Sequence, residues 1–173
     1  MAINPAAFPQ NQHRFDPYKN FKFLVVFPGI GPVAAVSKVS PLKRMTEVVS
    51  HRDGGDVSSP RYSPGSTKYE PITLERGVTV DPQFETWANL VHQRATGADA
   101  DVSLKNYKRD ITIEVQNLQG VTVKRYFIYR CWVSEYTALP ELDANANATM
   151  IESLILQNEG WERDESLAEV AET

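Results

Sequence analysis

Residues 110–118 alternate cleanly. Ile111, Ile113 and Val115 are separated by Thr112, Glu114 and Gln116. A two-residue period puts one set on each face of a strand, so this segment buries one face and wets the other. A turn at Asn117–Gly120 then leads into Val121–Tyr136, a bulky run long enough to bend across two sheets. A chain built around this pair is constrained to antiparallel β structure.

The remaining elements read in the same way. In FKFLVVF (Phe21–Phe27), Phe21, Phe23, Val25 and Phe27 share one face, and Leu24 and Val26 make the other apolar, which predicts cover on both sides. Pro28-Gly29 and Gly31-Pro32 mark a hairpin-like turn. Strands are expected at Val33–Val39, Leu42–Val49, Tyr69–Val80 and Met150–Gln157. In the third of these Ile72 and Leu74 point one way, Thr73 and Glu75 the other, with Gly77 at a bulge or bend. Asp81 caps a helix with Pro82 at its first position, and Phe84, Trp87, Ala88 and Val91 form one apolar face before Gly97 stops it. The acidic tail, Glu162–Thr173, is the other segment with helical potential.

Between the strands, Ser50–Thr67 has ten Gly, Pro or Ser among its 18 residues and reads as a long loop that orders only against a neighbour. Leu139–Ala148 is a polar connection. The expected fold class is mainly β: a small β-barrel or two packed antiparallel sheets, one flanking α-helix and a long extended loop. Residues 1–20 form an N-terminal arm, 21–160 the β domain and 161–173 an acidic C-terminal tail.

The search for reactive groups excludes more than it finds. His13, His51 and His92 have no metal-ligand spacing, and Asp53 and Asp56 lack the rest of a calcium-loop series. HRDGGD (His51–Asp56) has the letters of a kinase catalytic loop in a chain too short for a kinase and without DFG. Gly29 and Gly31 precede Pro32 rather than a helix, so they make no dinucleotide fingerprint. Glu141 and Asp143 fit a capped turn better than a carboxylate pair. Cys131, the single cysteine, lies in YFIYRCWV and reads as a buried small hydrophobe. No cofactor, metal or catalytic step is expected. A net charge of −4 argues against non-specific binding to nucleic acid or anionic membrane. No apolar run reaches the roughly 20 residues of a membrane helix, and the first 20 residues lack the pattern of a signal peptide, so synthesis in the cytoplasm is expected.

An ordered set of short motifs resembles the inner-tube proteins of contractile phage tails and related injection systems. It comprises Arg52-Asp53-Gly54-Gly55, Pro64-Gly65, Lys68-Tyr69, Ile72-Thr73-Leu74, Arg76-Gly77, Phe84, Trp87, Trp132–Tyr136, Leu139–Asn145 and Glu159-Gly160. The resemblance spans about Phe21 to Gly160 and implies a fold like that of the haemolysin-coregulated protein. It implies a structural subunit in six-membered rings, stacked into a tube for DNA or protein cargo. The implied partners are other copies of the chain, a surrounding sheath, and baseplate and terminator proteins at the tube ends. Assembly would place the chain in a phage tail or an injection particle. Arg52, Asp53, Gly54, Gly55, Arg61, Lys68, Glu75 and Arg76 are the candidate inter-subunit residues. The competing reading is a monomeric ligand- or nucleic-acid-binding barrel, which a basic groove with exposed aromatics would favour.

Overall fold

Strand β8 (Thr122–Thr137) organises the molecule. In the computed structural model, which describes residues 10–11, 17–28, 31–32, 36–52, 60–96, 107–143 and 148–171, it runs for 16 residues. Its first half pairs with β7 (Arg109–Gln116) on one side and β10 (Gly160–Arg163) on the other, and its second half pairs with β9 (Ile151–Gln157). The strand turns at Arg130, whose φ of 52° is uncommon for a residue with a Cβ. The Arg130 N–H donates to Asp110 Oδ1 at 2.7 Å, and bulges flank the turn at Arg109/Ile111 in β7 and Val133/Glu135 in β8.

From β8 the sheet extends both ways. One arm passes through β7 to β1 (Phe23–Phe27) and β2 (Gly31–Pro32). The other passes through β9 to β6 (Ile72–Gly77) and β3 (Val36–Val39). All these pairings are antiparallel, and the path is open, so the architecture is two packed layers rather than a closed barrel. Val25, Phe27, Ile111, Ile113 and Ile128 of one layer share a core with Ile72, Leu74, Val133, Leu154 and Leu156 of the other.

The helix α1 (Gln83–Thr96) packs onto this core. Asp81 Oδ1 accepts from the Gln83 N–H at 3.1 Å, satisfying a donor that the first turn leaves open, and Glu85 adds a favourable charge there. Phe84 and Trp87 are fully buried. The Trp87 ring meets Phe27 edge-on at 5.0 Å, and its Nε1 donates to the Tyr107 carbonyl at 2.8 Å. The turn at Asn117–Gly120 also forms as expected, with Gly120 at φ 86° and Asn117 Oδ1 accepting from the Val121 N–H at 2.9 Å.

Several expectations are corrected. Ser50, His51 and Arg61–Thr67 are not loop. They lie in β4 (Arg44–His51) and β5 (Arg61–Tyr69), which pair with each other alone as a two-stranded hairpin. Tyr69 therefore ends one strand and Ile72 begins another, where one strand was expected from Tyr69 to Val80. Gly77 ends β6 without a bulge; the irregularity lies in β3, between Val36 and Lys38. The second face of β1 is open in the isolated chain, with Leu24 36% exposed. Glu162 and Arg163 belong to β10, which crosses the expected boundary at residue 160, and the described tail residues form no helix.

Trp87→Ala should lower stability by about 3–5 kcal/mol in urea melts, the usual loss for a buried large aromatic. Burial, aided by the charge of Asp110, pushes the Cys131 thiol from its ordinary value of 9.0 up to about 12. The folded chain keeps a proton that the unfolded chain releases, so this contribution is complete below the unfolded value and declines as pH rises toward 12. Guanidinium melts between about pH 8 and 10 should show stability falling with pH in the wild type and falling less steeply in Cys131→Ala.

Candidate functional site

Neighbouring residues on β6 send their charges to opposite places. Glu75 points outward and pairs with Lys38 of β3 at 2.7 Å. Arg76 points inward and is 0% exposed. Its Nε donates to Glu152 Oε1 at 2.6 Å, its Nη1 to Asp81 Oδ2 at 3.0 Å and its Nη2 to the Asp81 carbonyl at 2.7 Å. The guanidinium lies 4.1 Å from the centre of the Phe84 ring, and Tyr136 donates its hydroxyl to Glu152 Oε2 at 3.0 Å. Burial first, and the bond to Glu152 second, push the Tyr136 phenol up to about 12.

This cluster ties the start of α1 to β6 and β9. It also corrects the expectation that Arg76 faces a neighbouring subunit, because its donors are engaged within its own chain. The signal was available in the sequence: Arg76 is two residues beyond Leu74 and four beyond Ile72, on the buried face of the same strand.

The hairpin β4–β5 has a different character. Its root is anchored. Arg44 pairs with Tyr69 across the two strands, and the Arg44 guanidinium lies 5.8 Å from the Trp161 ring. Tyr69 and Tyr126 meet that ring edge-on at 6.2 and 6.0 Å, and Lys43 pairs with Glu70 at 2.7 Å. Gly160 holds φ 145° beneath Tyr69, where an added Cβ would stand 3.4 Å from the phenol ring.

Beyond the root the hairpin leaves the core. Every residue of β4 is exposed, and so is most of β5. Val48 (67% exposed) and Tyr62 (69% exposed) fall on one face by their register, and Met45 and Val49 on the other. Glu47 stands opposite two residues, Gly65 and Ser66, in a bulge. A Cβ on Gly65 would lie 3.0 Å from Val49 Cγ2, so glycine suits this crossing. A two-stranded hairpin alone is marginal in water, and apolar side chains on both its faces call for a covering surface.

The candidate residues distribute accordingly. Arg52 is exposed just after β4, Arg61 sits opposite His51 at the far end of the hairpin, and Lys68 sits opposite Met45 near its root. Asp53, Gly54 and Gly55 lie outside the described residues. Val48, Tyr62, Met45 and Val49 were missed. The signal for Met45, Val48 and Val49 was the run MTEVV, read as an ordinary strand of the body, while Tyr62 fell in the stretch read as a loop.

The family model described as T4-like virus tail tube protein gp19 matches residues 19–162. The chain belongs to the T4-like virus tail tube protein family. It is a structural subunit of a tube. No curated protein matches the chain.

Solved structures share the fold. A chain in the six-fold symmetrised anti-feeding prophage baseplate is 21% identical, with a TM-score of 0.70 over 87% of this chain and 97% of that one. A chain in the extended sheath–tube complex of an extracellular contractile injection system, PVC, is 21% identical, with a TM-score of 0.70 over 91% and 97%. A chain in the anti-feeding prophage tube-terminating cap is 20% identical, with a TM-score of 0.69 over 86% and 91%. At these identities the likeness speaks for fold alone.

Further ion pairs of the tube chain brace its own elements. Arg125 bridges Glu114 at 2.8 Å and Asp164 at 3.3 Å. Glu159 is held by Lys108 and, at 3.1 Å, by Arg130; the bond from Lys108 is the main reason its carboxyl lies below the usual range. Bonds from Ser166 do the same for Asp164. Among the described residues no cluster of three His, Cys, Asp or Glu side chains could hold a metal, and no helix is long and apolar enough to cross a membrane.

The buried cluster generates a prediction. Arg76→Met leaves the Glu152 carboxylate without its buried partner, and should cost about 3–5 kcal/mol in denaturant melts. Arg76→Met combined with Glu152→Leu should recover most of that loss, since a well-packed apolar pair needs no compensating charge.

Proposed function

We propose that copies of this chain close into six-membered rings and that the rings stack into a hollow tube, with the β4–β5 hairpin as the stacking element. The exposed hairpin carries the reading: a rooted blade with apolar residues on both faces has no cover among the described residues. Within a ring, the open ends of the sheet path supply the contact. Strand β1 lies near one end and β3 at the other, so a head-to-tail contact would continue one sheet around the ring and remove exposed edges. The similar chain in a six-fold symmetrised baseplate supports the ring size. Glu75, Arg52, Arg61 and Lys68 would set register at such contacts, where exposed ion pairs contribute about 0–1 kcal/mol each. Asp53, Gly54 and Gly55 belong to the same proposed surface by their place in the sequence.

The tube would run inside a sheath, between a baseplate and a terminator, with DNA or protein passing along its channel. The similar chains in sheath–tube, baseplate and cap assemblies support these partners. The role is non-catalytic and is performed in an assembled phage tail or injection particle.

The double variant Val48→Asp/Tyr62→Asp tests the stacking element. It should keep the wild-type circular dichroism spectrum and still form rings, yet give no long tubes in negative-stain micrographs. Normal tubes from this variant would remove the hairpin from the stacking contact.

A further inference from the structure

The N-terminal arm and the C-terminal tail hold each other at Gln10–Asn11 and Glu169–Val170. Asn11 is 1% exposed, and its Nδ2 donates to Glu169 Oε1 at 2.7 Å and to the Val170 carbonyl at 2.9 Å. The Gln10 N–H donates to Glu169 Oε2 at 2.9 Å. Both oxygens of one tail carboxylate are therefore taken up by adjacent residues of the arm. Hydrogen bonds to a charged group are stronger than those between neutral groups, so the contact is a specific clamp.

The clamp borders a cavity of about 1020 Å³. Phe23, Leu42, Val115, Tyr126 and Trp161 supply its apolar lining, where the two layers of the sandwich part. Pro17–Asn20 of the arm and Glu169 of the tail also line it. Glu169 is thus both a wall residue and the residue that the arm grips. Trp161 lies against Arg44 and Tyr69, so the cavity opens beside the root of the chain's own hairpin.

We infer that the arm–tail clamp is an autoinhibitory latch, which narrows the cavity in the free subunit and opens when the hairpin of a second copy docks there. This rests on the reading of the hairpin as the stacking element. The cavity has an apolar wall beside Lys19, Lys124, Arg163 and Glu169 and an open mouth, and the hairpin has apolar side chains that its own subunit leaves exposed. A hairpin seated beside the root of the next hairpin repeats in one direction, which builds a stack instead of closing a pair. A latch that holds most subunits closed lowers the apparent affinity by the fraction that is open, and so delays growth until a docked layer supplies hairpins in register.

The full chain tests this with variants of the latch alone. Glu169→Ala and Asn11→Ala should each lower the concentration at which tubes appear by about tenfold or more, the equilibrium equivalent of losing one or two charge-assisted hydrogen bonds from the closed state. Light scattering would follow growth, and circular dichroism would verify the fold. Asn11→Cys/Glu169→Cys, joined by a short bis-maleimide, should block growth that the same variant supports before coupling. Unchanged or slower growth in the alanine variants, or unimpeded growth after coupling, would overturn the latch. Val48→Asp/Tyr62→Asp separates the two ideas. If that variant polymerises, the hairpin reading fails; if it does not, while the latch variants grow as the wild type does, only the latch fails.

Discussion

The hydrogen bond from the Arg130 N–H to the Asp110 carboxylate sits where the architecture is decided. A single strand serves two layers only if it turns sharply, and β8 turns at a residue in the left-handed region. That conformation is unfavourable for arginine and persists where its surroundings hold it. Asp110 supplies an acceptor at the turn, and the flanking bulges absorb the change of direction. Ile128 and Val133, on either side of the turn, then face one core from two sheets. The open path, the placement of α1 and the anchoring of β10 all depend on this corner.

The molecule divides into a body held by its own core and ion pairs and a hairpin that leaves that core. In the body, charges pair across elements and the helix is locked by a buried arginine. A buried ion pair gains little net stability over apolar packing but is sensitive to the loss of either partner. Arg76 therefore specifies where α1 sits more than it strengthens the fold. The hairpin is rooted by aromatic packing around Trp161 and is otherwise bare, and the sheet path is left open at its ends.

The alternation in 110–116, the turn at Asn117–Gly120, the cap at Asp81 and the buried pair Phe84 and Trp87 were all legible from spacing, since each depends on local periodicity or local backbone chemistry. The ordered family motifs were legible as well. The hairpin was not: Pro64, Gly65 and the serines of β5 read as loop chemistry, and nothing local shows that this strand pairs away from the core with a bulge at glycine. Strand β10 was hidden for a similar reason, as GWER is too short to display a period.

The sequence by itself determined the β class, the capped helix at Asp81 and the buried placement of the one cysteine, because composition and short-range periodicity suffice for these. Only the tertiary structure decided that Arg76 turns inward while Glu75 turns outward. It also decided that one stretch of strand leaves the core as a blade, and that the arm and the tail meet at Glu169. These outcomes join residues that are distant in sequence, as Arg76 is from Glu152 and Asn11 from Glu169. Such contacts depend on how the layers stack, which the pattern along a single strand does not encode.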